Sequence, residues 1–366
     1  MKLFLILSFM IPLALYSQSK TNKIVMVVSS YGKDLGKTRP GYEMDEFSQA
    51  YHIFKTNGLH IDVASPRGGS VEPSRFNKEK PYNKALIEDN EAMMLLQSTK
   101  STATLKATNY DAIYIVGGKG PMFDLVVDPS LQDLISEMND QGKIISAVCH
   151  GTIALANIKK DTSYLVVNRL LTGFCNEEET MFGKTSAEFP FLLEDRLIQR
   201  GANYQKGEAM LPFMVRDRNM ITGQNPYSTT AVAEEIVRSL GKELVKRKKY
   251  KDEMSMELIN KFLQGEVVWA KQALNSDREE YDLELIAVFG YYQAMFAKDD
   301  IMKIKKGISI MELVTSYYHN EDLYIKLADY YLKVNDRPKA IQTLNSVIEK
   351  NQNSKAANTL LKKILE

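Results

Sequence analysis

The adjacent residues Cys149 and His150 have the clearest chemical potential in this sequence. Residues 143–148 are mostly apolar and rich in β-branched side chains, which predicts a buried strand. Residues 152–157 predict the start of a helix. A cysteine between these elements occupies a nucleophile elbow, where the positive end of the helix dipole favours the thiolate. The pattern predicts a nucleophilic Cys149, with a buried structural cysteine as the alternative.

Strand-like and helix-like patterns alternate around this turn, from about Asn22 to Lys242. This alternation predicts an α/β fold with a doubly wound, mostly parallel, flavodoxin-like sheet, whose functional residues lie at the carboxyl ends of the strands. Gly117 and Gly118 directly follow one predicted strand, just as Cys149 follows another. Because both turns converge above the strand ends, we expect the amides of Gly118 and His150 to form an oxyanion hole. The predicted elements are strands at 23–28, 60–64, 112–116 and 143–148, and a helix at 46–57.

The chain changes character after Gly241. A charged linker at 242–251 precedes a region whose apolar spacing is helical throughout, and we predict an all-α domain over residues 243–366. Seven residues match the key positions of a tetratricopeptide repeat, although a plain helical bundle is the alternative. Such helices either dock a protein partner or a second copy of the chain, or pack on the catalytic domain and cover its pocket. The matching residues are Tyr324, Leu327, Ala328, Tyr331, Ala340, Leu344 and Val347.

Charge and composition limit the classes of partner and cofactor. The 366 residues include 47 basic and 46 acidic side chains, so there is no signature of nucleic-acid binding. The sequence has no Walker motif and no metal-ligand cluster, and it holds only four histidines. We therefore expect neither a metal nor an organic cofactor.

The first seventeen residues predict a secretory signal peptide. Lys2 precedes the apolar run 3–15, which suits a signal h-region and is short for a membrane span. We expect export to the periplasm or the extracellular space, with membrane attachment only if the segment stays uncleaved. The two cysteines of the chain, Cys149 and Cys175, are expected to be unpaired, since a bridge would block the proposed nucleophile.

Several separated segments of the first 242 residues share further features with one known family. They are Gly41 to Tyr51, Gly58 to Pro66, Gly117 to Asp124, Ala147 to Gly151, Thr172 to Glu179 and Ile221 to Pro226. Together they resemble the PfpI-like superfamily of class I glutamine-amidotransferase-like folds, in particular its branch of glutathione-independent glyoxalases and heat-shock chaperones. The resemblance covers about residues 22–242 and implies the doubly wound fold predicted above.

The resemblance also implies roles for individual side chains. Glu46 matches the family's helix-start glutamate and would exchange protons with the substrate beside Cys149. A plain helix-start carboxylate is the alternative role of Glu46. Glu179 matches the acid that holds His150, and the neighbouring Glu177 and Glu178 are expected to be solvated.

One residue departs from the family pattern. The family commonly has histidine after the two glycines, whereas this chain has Lys119. A lysine there makes the pocket rim more cationic, which would lower the pKa of Cys149 or select anionic substrates.

The implied activity is conversion of methylglyoxal-like dicarbonyls to 2-hydroxy acids without glutathione or metal. Two other readings fit the same resemblance. One is a chaperone or protein-binding module; the other is a cysteine peptidase or amidohydrolase of the PfpI type.

Overall fold

A computed structural model describes residues 22–182 and 189–366 of the chain. The predicted signal segment, residues 1–17, lies outside these ranges. Among the described residues, no helix combines the length and the apolar character needed to cross a membrane.

A seven-stranded sheet forms the centre of the first region, in the order β10-β11-β5-β4-β1-β2-β3. All neighbouring strands run parallel except the β10–β11 pair, which is antiparallel. The short strands pair outside this sheet, β6 with β7 and β8 with β9. In chain order the strands are β1 Lys23–Val27, β2 His60–Ser65, β3 Lys100–Ser101, β4 Ala112–Ile115, β5 Ile144–Val148, β6 Lys159–Lys160, β7 Ser163–Tyr164, β8 Leu170–Leu171, β9 Asn203–Tyr204, β10 Met214–Asp217 and β11 Met220–Gly223.

Helices cover both faces of this sheet, which explains why its central strands are apolar on both sides. Along β1, Ile24 and Met26 belong to one apolar cluster, and Val25 and Val27 belong to another, because successive side chains of a strand point to opposite faces. The helices of this region are α1 Met44–Thr56, α2 Pro81–Glu88, α3 Asn90–Gln97, α4 Pro129–Asp140, α5 Asn176–Phe182, α6 Leu193–Gln199 and α7 Thr229–Ser239. The α/β fold and its mostly parallel sheet are thus confirmed.

Seven α-helices make up the rest of the chain. Most successive helices pack against each other, and α10 packs on α8 as well as on α11. They are α8 Lys251–Leu263, α9 Val267–Asp277, α10 Leu283–Phe296, α11 Ile301–Glu312, α12 Glu321–Lys333, α13 Arg337–Lys350 and α14 Lys355–Leu365. The first two of these helices, α8 and α9, are separate because the chain turns at Gly265 with a φ of 98°. The residues of the predicted repeat lie on α12 and α13, where six of the seven are buried. Their assignment to a tetratricopeptide repeat stays a prediction.

The helical region shares an apolar core with the sheet region. Met181, Met210 and Leu211 belong to the same buried cluster as residues of α8 and α10 to α14. The charged segment 242–250 contains no helix or strand, yet it is held in place. Arg247 pairs with Glu234 on α7 at 2.8 Å and with Glu253 on α8 at 2.7 Å. The predicted domain division at residue 242 stays a prediction, and the contacts across it are extensive.

Candidate active site

Cys149 occupies a strained turn at the end of β5. Its φ is 58°, in the left-handed region that non-glycine residues rarely adopt, and its side chain is only 3% exposed. The following element is a 3-10 helix over Cys149–Leu155, where the sequence had predicted the start of a helix. This conformation turns the sulfur out of the sheet, as a nucleophile elbow requires.

Two backbone amides are directed at the Cys149 sulfur. The amides of His150 and Gly118 both donate to it, and each lowers the pKa of the thiol. Burial and the charge of Glu46 act in the opposite direction and raise the pKa of Cys149 well above its usual value. The amides at this turn thus act in the predicted direction, toward the thiolate, but desolvation outweighs them in the resting site.

Glu46, in the first turn of α1, lies beside this sulfur. The amide of Gly117 donates to its Oε2 at 2.6 Å, and the side chain is fully buried. Burial raises the pKa of Glu46 well above its ordinary value, and the charge of Glu43 raises it further. A Cβ on Gly117 would lie 2.7 Å from Oε2 of Glu46 and 2.8 Å from Cβ of Cys149. Glycine is therefore the residue that lets this carboxyl approach the cysteine.

His150 lies between Cys149 and a second carboxylate. Its Nδ1 is 3.5 Å from Sγ of Cys149, and its Nε2 is hydrogen-bonded to Oε1 of Glu179. The ring of Phe174 packs on the imidazole with the ring centres 4.4 Å apart. The structure thus brings together a cysteine, a histidine and a carboxylate in the arrangement of an acid–base triad.

The glutamates before Glu179 differ from each other. Glu177 is exposed, as expected, but the prediction that Glu178 is solvated is wrong. Its carboxylate is buried and accepts hydrogen bonds from the amide of Met210 and the side chain of Asn225, both at 2.8 Å. These donors replace water around the carboxylate, although burial still raises the pKa of Glu178.

Both cysteines are unpaired. The thiol of Cys175 lies 3.2 Å from Oε2 of Glu178 and is buried. Burial and the Glu178 charge raise the pKa of Cys175. Cys175 is therefore a structural thiol beside the site, and Cys149 alone belongs to the reactive cluster.

A cavity of about 780 Å³ opens over Cys149. His150, Glu46, Gly118 and Lys119 line it with Cys149. The other two predicted site residues, Gly117 and Glu179, lie behind this lining, hydrogen-bonded to Glu46 and His150 respectively. Its walls also include residues that the sequence motifs did not reveal, among them Glu43, Met210, Tyr227 and Asp252. Asp252 comes from the helical region, and only the packing of the two regions reveals it. Among the described residues, no group of three or more His, Cys, Asp or Glu side chains is placed to hold a metal ion.

The sequence and the fold match a known family. The DJ-1/PfpI family matches residues 38–239, more than half of the chain, and the protein belongs to that family. The predicted membership of the PfpI-like superfamily is confirmed.

Named relatives point to one branch of the family. Glutathione-independent glyoxalase hsp3102 of Schizosaccharomyces pombe is 26% identical over 252 residues, which are 61% of this chain and 100% of that protein. Glyoxalase 3 of Candida albicans is 28% identical over 232 residues, covering 59% of this chain and 97% of that protein. The crystal structure of Rapid Encystment Protein 24 KDa from Francisella tularensis is 28% identical, with a TM-score of 0.57, and covers 60% of this chain and 99% of that one.

Proposed function

We propose that this protein is an exported, cysteine-dependent glyoxalase that converts methylglyoxal-like dicarbonyls to 2-hydroxy acids without glutathione. The observation that supports this most strongly is the placement of Cys149 between a buried carboxyl, Glu46, and two amide donors. The names of the relatives support the same reaction.

The first step is addition of the Cys149 sulfur to the aldehyde carbon, which forms a hemithioacetal. The raised pKa of Glu46 suits a carboxyl that accepts and returns a proton at neutral pH. The amides of Gly118 and His150, which donate to the sulfur in the resting site, are placed to donate to the oxygen anion of the adduct.

The second step moves hydrogen within the adduct. Glu46 removes the proton from the former aldehyde carbon and returns it to the neighbouring ketone carbon, so the first carbon is oxidised and the second reduced. His150, held by Glu179, moves the hydroxyl proton between the two oxygens. The product is a thioester of the 2-hydroxy acid, and water then releases the acid and restores the thiol. No external oxidant or reductant is needed.

The charge of the pocket rim affects which dicarbonyl substrates the protein prefers. Among the residues that line the cavity, Lys37 and Arg75 are exposed and Lys119 is partly exposed. The carboxylates Glu46, Glu178 and Asp252 in the same lining are buried. A cationic rim attracts carbonyl compounds that carry a negative charge. We therefore infer a preference for anionic dicarbonyls over neutral methylglyoxal.

The experiment that tests this function is a substrate panel on the purified protein without glutathione. Neutral and anionic dicarbonyls, peptides and glutamine are compared, with Cys149→Ala as the matched control. We expect 2-hydroxy acid from the dicarbonyls with the wild type alone. Absence of this product from every dicarbonyl would refute the proposal. Suppression of protein aggregation that survives in Cys149→Ala would instead support a chaperone.

Amide hydrolysis of the PfpI type is a second candidate. The contact of His150 with both Cys149 and Glu179 favours it, because a cysteine–histidine–carboxylate arrangement also serves acyl transfer. The cavity of about 780 Å³ is far larger than a three-carbon dicarbonyl needs. Cleavage of peptides in the same panel would favour this candidate.

A further inference from the structure

The helical region reaches into the active-site wall through one carboxylate. Asp252, in the first turn of α8, is only 7% exposed. Its Oδ2 accepts a hydrogen bond from the hydroxyl of Tyr82 at 2.8 Å and from Nε2 of Gln49 at 3.5 Å. The same Tyr82 hydroxyl lies 3.0 Å from Oδ2 of Asp45. Asp252 therefore contacts α1 directly at Gln49 and, through Tyr82, at Asp45.

These two contacts flank Glu46. Asp45 and Gln49 are four residues apart on α1, so their side chains lie on one face of the helix, and Glu46 follows Asp45 directly. Glu46 itself is held on the sheet side by the amide of Gly117. The first turn of α1 is thus fixed from two directions, by the sheet and by the helical region.

One lysine serves both carboxylates of this network, Asp45 and Asp252. Lys80 Nζ lies 2.6 Å from Oδ2 of Asp45 and 3.9 Å from Oδ2 of Asp252, and Asn83 donates to Oδ1 of Asp45 at 2.6 Å. Tyr82 has one hydroxyl proton, which it can donate to only one of the two carboxylates at a time. The positive charge of Lys80 reduces the repulsion between Asp45 and Asp252. Removing Asp252 would free Tyr82 and Gln49 from their shared acceptor and loosen this face of α1.

We propose that Asp252 is a positioning residue for Glu46: through it, the helical region fixes the helix turn that sets the Glu46 carboxyl against the sulfur of Cys149. This inference rests on the proposed role of Glu46 as the group that moves the substrate proton. In this proposal the helical region contributes to catalysis by holding Glu46 in position.

The test compares Asp252→Ala with the wild type as full-length proteins. A displaced general base costs rate in the chemical step, so we expect kcat to fall about tenfold to a hundredfold, with a much smaller change in KM. The alkylation of Cys149 by iodoacetamide should become several times faster, because Glu46 no longer covers the sulfur or opposes its ionisation. Asp252→Asn keeps an oxygen acceptor for Tyr82 and should restore most of kcat.

A matched control separates positioning from general stability. Asp300 caps α11 in the same helical region, where its Oδ1 accepts from the amides of Met302 and Lys303, and it does not line the cavity. Asp300→Ala should lower the thermal midpoint and leave both kcat and the alkylation rate unchanged. An equal loss of kcat in this control would overturn the proposal, as would wild-type kcat and alkylation in Asp252→Ala.

Three further outcomes are also informative. If Asp252→Ala fails to fold, Tyr82→Phe removes only the bridging hydroxyl, and unchanged kcat and alkylation in that variant contradict the proposal. If Asp252→Asn does no better than alanine, hydrogen-bond positioning is wrong. If the wild type turns over no dicarbonyl, the proposed function fails, and the alkylation rates alone decide the role of Asp252.

Discussion

The two regions of this protein bury different kinds of side chain. Around the end of β5, the sheet region buries the carboxyls of Glu46, Glu178 and Glu179 and holds Cys149 at a positive φ. In the helical region, residues 251–366, Asp252 is the one buried carboxyl, and the other buried polar side chains are Ser255, Gln293 and Ser354. Buried charge and backbone strain are costly, so they collect where chemistry needs them. We therefore assign the proposed chemistry to the sheet region and packing to the helices, with Asp252 as the helical residue that reaches the cavity wall.

The largest expected effect comes from removing the helical region. Truncation after Lys242 would expose Met181, Met210 and Leu211, at a cost of roughly 5 kcal/mol, comparable to the whole stability of a domain. We expect the truncated protein to aggregate, or its Cys149 to be alkylated much faster than in the full-length chain. The thermal midpoint and the alkylation rate of both proteins are measured. A truncated protein with the wild-type thermal midpoint and alkylation rate would show that the helices are a separate adaptor.

Cys149→Ala comes next. We expect turnover to fall by at least about 10⁴-fold, since the nucleophile is lost, with little change in thermal midpoint. Cys175→Ser is the matched control, because its thiol is buried against Glu178 and stays outside the reactive cluster. Acid formation is measured for both variants. Retained turnover in Cys149→Ala would show that the reaction does not depend on Cys149 of the sheet region.

Glu46→Gln separates a catalytic carboxyl from a helix-start residue. The amide oxygen still accepts from Gly117, so the fold should persist, while turnover falls by about two to four orders of magnitude. The ionised form of Glu46 raises the pKa of Cys149, so the same variant should be alkylated faster at pH values above the pKa of Glu46, where the wild-type carboxyl is charged. A change in thermal midpoint with normal turnover would make Glu46 a structural residue only.

The same substitution in the two regions should have different consequences. Gly117→Ala places a Cβ between Glu46 and Cys149, and we expect turnover to fall about a hundredfold. Gly290→Ala places one 2.7 Å from the carbonyl oxygen of Gly307, which should force α10 and α11 apart and cost about 1–3 kcal/mol. Turnover and thermal midpoint are measured for both. Equal effects on both quantities would contradict the division of labour.

The smallest expected effect is that of Glu179→Gln. It replaces a charge-assisted hydrogen bond to His150 by a neutral one, and a loss of about 1.5 kcal/mol corresponds to roughly tenfold in turnover. Glu177→Gln, two residues earlier and exposed, is the control and should match the wild type in steady-state assays. If the two variants lose equal activity, Glu179 is not the partner on which His150 depends.

Local patterns in the sequence predicted much of the fold. The strand ending at Val148 and the strand ending at Ile115 were readable because short apolar β-branched runs have few alternatives. The helix containing Glu46 was placed to within two residues of its observed start at Met44. The division of the second region into seven helices was less readable, since the turn at Gly265 interrupts no apolar pattern.

The sequence by itself determined the strand that ends before Cys149, the turn that holds Cys149 and the glycine turn beside it, because these depend on neighbouring residues. Only the tertiary structure decided that Glu178 is buried, that Glu179 contacts His150 and that Asp252 reaches α1. It also decided that the pKa of Cys149 is raised. Each of these depends on desolvation and hydrogen bonds between residues far apart in the chain, and no local pattern records such contacts.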